Sequence, residues 1–349
     1  MKPTRDLHGR RLWLMGHTPQ GEPEPLPPGA MLADWRQAAP RRIDALLQRA
    51  LRLPCGGWFV IGAAAAVSRR PLAAVVDGQE LVLWRDARGV LHAAPDRCPH
   101  LGARWSEAEP ADAAGRLSCP WHGLQLDPGR PCVPLLPTFD DGVLAWVRLP
   151  GETPSGRPAL PARPDSGVAT VYRVEGRCEP REVLENRLDP WHGAHYHRHS
   201  FARLRLLDED DHGLTVRVAF RAWRQLAVEV DARFHCLDAR CIVMTIVDGE
   251  GRGSVVETHA TPVAPGRTAV VEAVVAQSGR AGFRLLARMA PILRALIRRS
   301  GARLWTEDIA YCERRYALRL ADTGAAPRIG VAATRPAFIP NPRRTREDG

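Results

Sequence analysis

Two short segments, Cys98-Pro99-His100-Leu101-Gly102 and Cys119-Pro120-Trp121-His122-Gly123, carry the residues with the most chemistry to offer. The spacing is C-x-H, a gap of 18 residues (Leu101–Ser118), then C-x-x-H. Thiolates and imidazoles are metal ligands. Two of each suit a [2Fe–2S] cluster in which the thiolates hold one iron and the imidazoles the other. Neutral imidazoles leave the reduced cluster less electron-rich than an all-cysteine one, so its potential is higher and it works as a mid-potential one-electron donor. Gly102, Gly123 and the two prolines suit tight loops that clasp such a group. A zinc site of two cysteines and two histidines is the alternative. Zinc modules usually pair Cys with Cys and His with His along the chain, whereas each arm here carries one of each.

A second constellation runs from Glu185 through Asn186, Asp189, Pro190, His192, Gly193 and His195 to His197, with His199 beyond. Four histidines in eight positions, three residues after an aspartate, are more than a solvated helix end requires. Two imidazoles and one carboxylate on one face of Fe(II) leave open positions for O₂ and a substrate. Helix geometry leaves open which pair serves. Residues five apart, as His192 and His197 are, point about 140° apart on a regular helix. They converge only where the helix widens or breaks, and Pro190 and Gly193 give occasion for that. His195 and His199, four apart, share a face without any irregularity. A carboxylate is available far downstream in Thr306-Glu307-Asp308-Ile309, where the same residues also suit a helix N-terminus. Glu257 and Glu272, on predicted strands, are weaker candidates.

These motifs together resemble the Rieske non-heme iron oxygenases, specifically their terminal oxygenase α subunits. Trp58-Phe59, Gly78, Arg85-Asp86, Gly89 and Asp96-Arg97 extend the likeness upstream of the first cluster loop. The Rieske proteins of respiratory complexes add a cysteine to each loop and a membrane anchor; this chain has Ala103 and Trp121 at those loop positions. The resemblance implies that Cys98, His100, Cys119 and His122 hold the [2Fe–2S] cluster. The match to N-x-x-D-x-x-H-x-x-x-x-H makes His192 and His197 ligands of a mononuclear Fe(II). It also makes Asp189 the bridge between an iron histidine and a cluster histidine. The family's Glu-Asp pair opening a late helix makes Asp308 the third ligand, with Glu307 pointing elsewhere. His195 is then expected near the site and His199 at the surface. The implied fold is α+β: an all-β Rieske domain followed by a helix-grip (START-like) domain, in which a curved antiparallel sheet wraps a long helix and leaves an apolar cavity. The implied activity is hydroxylation of an apolar aromatic, isoprenoid or steroid-like substrate with O₂. O- or N-demethylation, desaturation and cis-dihydroxylation use the same site. In the family, electrons cross between subunits of a head-to-tail homotrimer. A non-catalytic electron carrier fused to an apolar-ligand module is the reading from another class. Many relatives have Trp after the glycine of the second loop, where this chain has Leu124, which touches packing and substrate choice rather than ligands.

Length and composition set the frame. About two domains are expected of 349 residues. The net charge is +10, nearly all from arginine, since Lys2 is the only lysine. No nucleic-acid motif accompanies that charge, so an acidic partner fits better. No G-x-G-x-x-G marks a dinucleotide site, and electrons are expected from an external ferredoxin or flavin reductase. No apolar run reaches the ~18 residues of a spanning helix and the start lacks the apolar core of a signal peptide, which predicts a cytoplasmic protein. The six cysteines outside the cluster loops show no disulfide spacing. The expected organisation is a partly helical extension (1–54), the Rieske domain (55–150), a Pro/Gly-rich linker (151–167), the mononuclear-iron domain (168–324) and a Pro/Arg-rich tail (325–349). Helices are predicted over Arg181–Phe201, Ala281–Arg299 and Thr306–Leu320. Seven arginines and no acid between Gly279 and Arg303, interleaved with apolar residues, suit a peripheral contact with an anionic membrane or an acidic partner. They also suit a helix packed on the sheet with a solvated Arg face.

Overall fold

Short apolar runs broken by turn residues build the first half of the molecule as small antiparallel sheets. The computed structural model describes residues 4–5, 11–14, 34–197, 199–223, 226–279, 283 and 290–323. The chain begins with the paired strands β1 (Thr4–Arg5) and β2 (Arg11–Leu14), then helices α1 (Asp34–Gln37) and α2 (Pro40–Ala50). Pro40 sits in the first turn of α2, where its missing N–H would have had no partner. Ile43, Leu46, Leu47 and Ala50 share one face of α2 and are buried in the core of the second half.

Eight strands follow: β3 (Trp58–Ala63), β4 (Leu72–Val76), β5 (Gln79–Arg85), β6 (Leu91–Pro95), β7 (Leu117–Ser118), β8 (Gln125–Leu126), β9 (Thr138–Asp140) and β10 (Leu144–Arg148). They form sheets β3-β10-β9, β4-β5-β6 and β7-β8. Val82, Trp84, Trp105, Leu117 and Leu126 pack beneath Cys98 and Cys119 as one buried cluster. The buried Trp84 indole N–H is satisfied by the Gly115 carbonyl at 2.8 Å.

The Pro/Gly-rich crossing is tied down rather than slack. Glu152 accepts from the Gly57 N–H at 3.0 Å, and the Ser155 carbonyl accepts from Trp58 Nε1 at 3.3 Å. Arg163 then bridges the two halves, with Asp141 of the first at 2.9 Å and Glu257 of the second at 2.5 Å. Trp58, Val60, Leu144 and Trp146 pack directly on Val271 and Ala273 across the same junction.

Among its described residues the second half combines long strands with helices: β11 (Val168–Gly176), α3 (Pro180–Leu188), α4 (His192–Tyr196), β12 (Phe201–Asp210), β13 (Gly213–Trp223), β14 (Leu226–Asp238), β15 (Cys241–Gly249), β16 (Val255–Ala264), β17 (Arg267–Ala276) and α5 (Ala290–Asp322). Every pairing is antiparallel, in the order β12-β13-β14-β15-β16-β17-β11, and β2 adds to one end of β14. Helix α5 has 33 residues, about 50 Å of rise. The apolar inner face of the sheet, with Val216, Val218, Phe234, Ile242 and Val270, shares one core with Leu184 and Leu188 of α3 and Trp305 and Cys312 of α5. This is the helix-grip arrangement.

Three local expectations fail. The helix predicted over Arg181–Phe201 is two helices, because Asp189 (φ −110°, ψ 70°) and His197 (φ −109°, ψ 48°) leave helical geometry. Phe201–Asp210 is then a strand, whose charged sequence fits its place at the end of the described sheet, where it pairs with β13. Two separate late helices were predicted, but from Ala290 onward a single helix runs through to Asp322. Gly301 does not break it: a Cβ there would overlap the Tyr172 hydroxyl, so the glycine serves close packing. Thr306 consequently caps nothing, and its hydroxyl donates to the Ala302 carbonyl one turn back at 2.8 Å. Most of the N-terminal lead, the Pro/Arg-rich tail and Arg280, Arg284 and Arg288 lie outside the described residues. Among the described residues no helix is long and apolar enough to cross a membrane.

Candidate metal centres and the apolar cavity

The two cluster loops are built alike. In the first, the Cys98 N–H donates to the Ala103 carbonyl (2.8 Å) and the Gly102 N–H to the Cys98 carbonyl (2.9 Å). In the second, the Cys119 N–H donates to Leu124 (2.8 Å) and the Gly123 N–H to Cys119 (2.9 Å). Gly102 and Gly123 take φ of 84° and 75°, values that favour glycine. The result sets the two thiols near enough to shift each other's protonation, both buried. The rings of His100 and His122 stand 4.7 Å apart, edge to face, on the solvent side. Burial pushes the Cys98 thiol up, while the Cys119 thiol, also buried but receiving backbone N–H bonds and the Cys98 S–H, is held below the usual range. Leu101 (64% exposed) and Trp121 (56% exposed) flank the histidines.

The second centre assembles from α3, α4 and the middle of α5. His192 opens α4, and His197 lies just past its end, so the break in the helix brings two rings five residues apart to 5.4 Å. Nε2 of His192 and of His197 lie 2.9 and 2.8 Å from the same Asp308 Oδ1. All three ligand atoms fall within 4.8 Å of one another. Asn186 Nδ2 donates to Asp308 at 3.1 Å. The Nδ1 of His192 donates to the Asp189 carbonyl, and that of His197 to Glu307 Oε2 at 2.6 Å. Each Nε2 shares a hydrogen bond with Asp308 Oδ1. With its proton held at Nδ1 instead, a neutral ring turns an Nε2 lone pair to the same point, so the three atoms can close on a cation. Burial opposes the charge of Asp308, but hydrogen bonds from His192 and His197 outweigh it and hold its carboxyl well below the usual range. Burial likewise opposes charge on His197, and Asp308 and Glu307 reverse the balance and raise it.

Asp189 ends α3 beside this centre. Burial pushes its carboxyl up, and its Oδ2 takes only a 3.4 Å bond from the Tyr311 hydroxyl and a 3.8 Å approach to His192 Nδ1. Its Oδ1 is buried with no hydrogen-bond partner among the described residues. A cavity of about 280 Å³ opens from the three converging residues into the space between sheet and α5. Phe201, Phe220, Phe234, Met244, Val274 and Leu304 make it largely apolar.

The structure also separates residues the sequence had grouped. His195 is exposed and pairs with Asp34 of α1 at 2.7 Å; it does not line the cavity. His199 is exposed. Glu257 is held by Arg163, and Glu272 by Tyr172, Thr258 and Trp305, so neither reaches the three-residue centre. Glu307 does not point elsewhere. His197 lies off its helix, and its ring spans two successive carboxylates of α5. Tyr311, one turn beyond Asp308, belongs to this centre without being part of any motif; its i, i+3 position on the same helix face is the signal for it.

Known proteins supply the context. Residues 57–140 match the Rieske [2Fe-2S] domain, and residues 149–323, half of the chain, match a domain of unknown function (DUF5914). The oxygenase component of dicamba O-demethylase from Stenotrophomonas maltophilia is 29% identical over 163 residues, 40% of this chain and 47% of that protein. The chloroplastic protein TIC 55 of Arabidopsis thaliana is 32% identical over 145 residues, 35% of this chain and 26% of that one. The matches thus span about half or less of the length of these curated relatives. In three dimensions, dicamba monooxygenase bound to dicamba superposes with a TM-score of 0.59 at 19% identity, over 79% of this chain and 92% of that one. The terminal oxygenase of carbazole 1,9a-dioxygenase from Novosphingobium sp. KA1 gives 0.52 at 16% identity, over 85% and 92%. A Rieske domain joined to a helix-grip domain, with matches to oxygenase components in sequence and fold, places the chain in the Rieske non-heme iron oxygenases as an α subunit whose second half is the DUF5914 domain.

Proposed function

We propose that this chain is the terminal oxygenase of a multicomponent system that hydroxylates an apolar substrate with O₂. The observation that carries the reading is the convergence of two imidazole Nε2 atoms and the Asp308 carboxylate at the end of an apolar cavity. His192, His197 and Asp308 would hold the mononuclear iron; Cys98, His100, Cys119 and His122 would hold the cluster. When bound, the two groups supply electron storage and O₂ activation. The remaining work falls to the chain. Asp189 O and Glu307 fix the Nδ1 protons of the two histidines and so keep Nε2 free for a metal. The aromatic and aliphatic lining excludes water and holds an apolar molecule against the centre. Asp189, with Oδ1 unpartnered, is suited to receive a cluster histidine. No hydrogen bond or ion pair joins it to His100 or His122 within the described chain, and those histidines sit exposed among Leu101 and Trp121. This supports a homotrimer in which one subunit's His122 meets the next subunit's Asp189. An external ferredoxin or flavin reductase would supply the electrons.

Demethylation is the second reading, because the sequence relatives include demethylase oxygenase components. It uses the same site on a methoxy or N-methyl carbon. The first turns of α5 support a peripheral contact with an anionic membrane. Ile292 (55% exposed) and Leu296 (61% exposed) stand beside exposed Arg294, Arg298 and Arg299, on the helix whose Ile297, Ser300 and Gly301 line the cavity. The test is O₂ consumption by the reduced, iron-loaded protein across a panel of apolar compounds. Substrate-dependent uptake with three irons per chain supports the oxygenase. Two irons and no uptake with any compound identifies an electron carrier instead.

A further inference from the structure

One end of the cavity is polar in a way the oxygenase reading does not use. Glu272 of β17 is almost fully buried and its carboxylate accepts three hydrogen bonds. The Tyr172 hydroxyl donates to Oε1, while Trp305 Nε1 (2.6 Å) and Thr258 Oγ1 (2.9 Å) donate to Oε2. Burial and the adjacent Glu272 push the Tyr172 hydroxyl far above its ordinary range, so it stays a donor. Gly301 of α5 leaves the room this hydroxyl occupies. Arg187 is the exception in this group. It lines the cavity with its side chain 20% exposed and reaches Glu272 Oε2 only at 4.0 Å. Its guanidinium lies 5.9 Å over the Phe234 ring and 6.0 Å over Trp305. Among the described residues it makes no hydrogen bond. Five N–H donors in a fixed fork thus face an apolar cavity with their charge offset by Glu272 but their hydrogen bonds unmade.

We propose that Arg187 receives a neutral oxygen acceptor of the substrate, a hydroxyl or carbonyl, and so selects an oxygen-bearing apolar molecule and sets which of its carbons faces the iron-binding residues. The inference rests on the reading of this cavity as the substrate site. A neutral acceptor is favoured over a carboxylate because Glu272 already balances the guanidinium, and a second anion would meet its charge at close range in a low-dielectric pocket. A plain hydrocarbon would leave the fork desolvated and unpaired, which is the costly case.

The test uses the full-length, iron-loaded protein and three probes of one skeleton: biphenyl, 4-phenylphenol and biphenyl-4-carboxylate. Dissociation constants are measured by equilibrium dialysis in the wild type, Arg187→Met and Arg187→Lys. The wild type should prefer 4-phenylphenol over biphenyl by about tenfold or more, and should bind the carboxylate no more tightly than the phenol. Arg187→Met should bring the phenol-to-biphenyl preference close to one, with phenol binding weakened and biphenyl binding tightened as the unpaired fork is removed, and Arg187→Lys should restore part of the preference. Equal binding of phenol and biphenyl by the wild type would overturn the inference, as would a preference that survives in Arg187→Met. Tightest binding of the carboxylate would overturn it too, by making the pole an anion site. If Arg187→Met does not fold, the wild-type ratio against that of Arg187→Lys decides, since a Lys variant with an undiminished preference excludes the guanidinium fork. Failure of all three probes to bind would instead remove the substrate-cavity reading beneath it.

Discussion

The two metal-binding regions solve opposite problems with similar side chains. The cluster loops bury their thiols and present their imidazoles at the surface, between two exposed apolar residues. An electron donor needs such an edge, because transfer requires close approach to another protein. The second region buries His197 and Asp308 and closes an apolar cavity over them. A site that handles O₂ beside a C–H bond gains from excluding water, because every electrostatic contact in it strengthens. The cluster loops achieve their geometry within 26 residues of chain (Cys98–Gly123), through hydrogen bonds local to each loop. The second region draws on residues 116 apart in sequence and depends on how α5 lies across the sheet. One region is a local motif and the other a product of tertiary packing, so they should fail independently and in different ways.

The sharpest break is a reciprocal loss. Asp308→Ala removes the one carboxylate facing both imidazoles, so mononuclear iron and turnover should disappear while the cluster's absorption and EPR signal stay intact. Cys119→Ser should do the converse. Iron analysis and EPR on the two variants check this, and loss of both signals in either variant would mean the regions are not separable.

Next in size is the clamp between the halves. Arg163→Met leaves Asp141 and Glu257 as buried acids without their cation, and stability should fall by about 3–5 kcal/mol, read as a lower unfolding midpoint. Burial works against charge on both carboxylates, but Arg163 holds them below the usual range. Groups so depressed contribute stability above their unfolded values and lose it as pH falls through the folded ones. The gap between wild type and variant should therefore narrow below about pH 4. A gap constant with pH would show that the guanidinium contributes packing rather than charge.

A smaller effect separates the direct metal-facing carboxylate from its neighbour. Glu307→Gln weakens the partner of His197 Nδ1 without touching Nε2, and mononuclear iron affinity should drop about 10- to 100-fold. An unchanged affinity would mean that His197 keeps its tautomer without help. Asp189→Asn should retain both metals yet slow single-turnover oxidation of the reduced cluster about tenfold or more. An unchanged rate would route the electron elsewhere.

The smallest structural effect is expected at the cluster edge. Leu101→Ala and Trp121→Ala lie at exposed positions and should change unfolding free energy by no more than about 0.5 kcal/mol, while subunit association or kcat/KM for the electron donor falls. Unaltered association and donor kinetics would remove this face as a docking edge.

The sequence alone determined the parts that depend on near neighbours. C-x-H and C-x-x-H with trailing glycines describe loops whose hydrogen bonds close within a few residues. Alternating apolar and polar residues in β13 (Leu214 to Arg221) and β14 (Val228 to His235) mark strands whose apolar side chains share one face. Tertiary structure decided what depends on residues distant in the chain. A regular helix would have kept His192 and His197 apart, and only the end of α4 at Tyr196 lets them meet. Glu307 read as an outward helix position, and becomes a histidine partner because His197 stands off its own helix. Gly301 falls in the gap between the two predicted late helices, and is instead a mid-helix residue that leaves space for Tyr172. The Arg187–Glu272 pole joins α3 to β17 across 85 positions and has no local signature. Backbone chemistry is written residue by residue, whereas the meeting of side chains across a curved sheet depends on its twist and on where α5 settles in its grip.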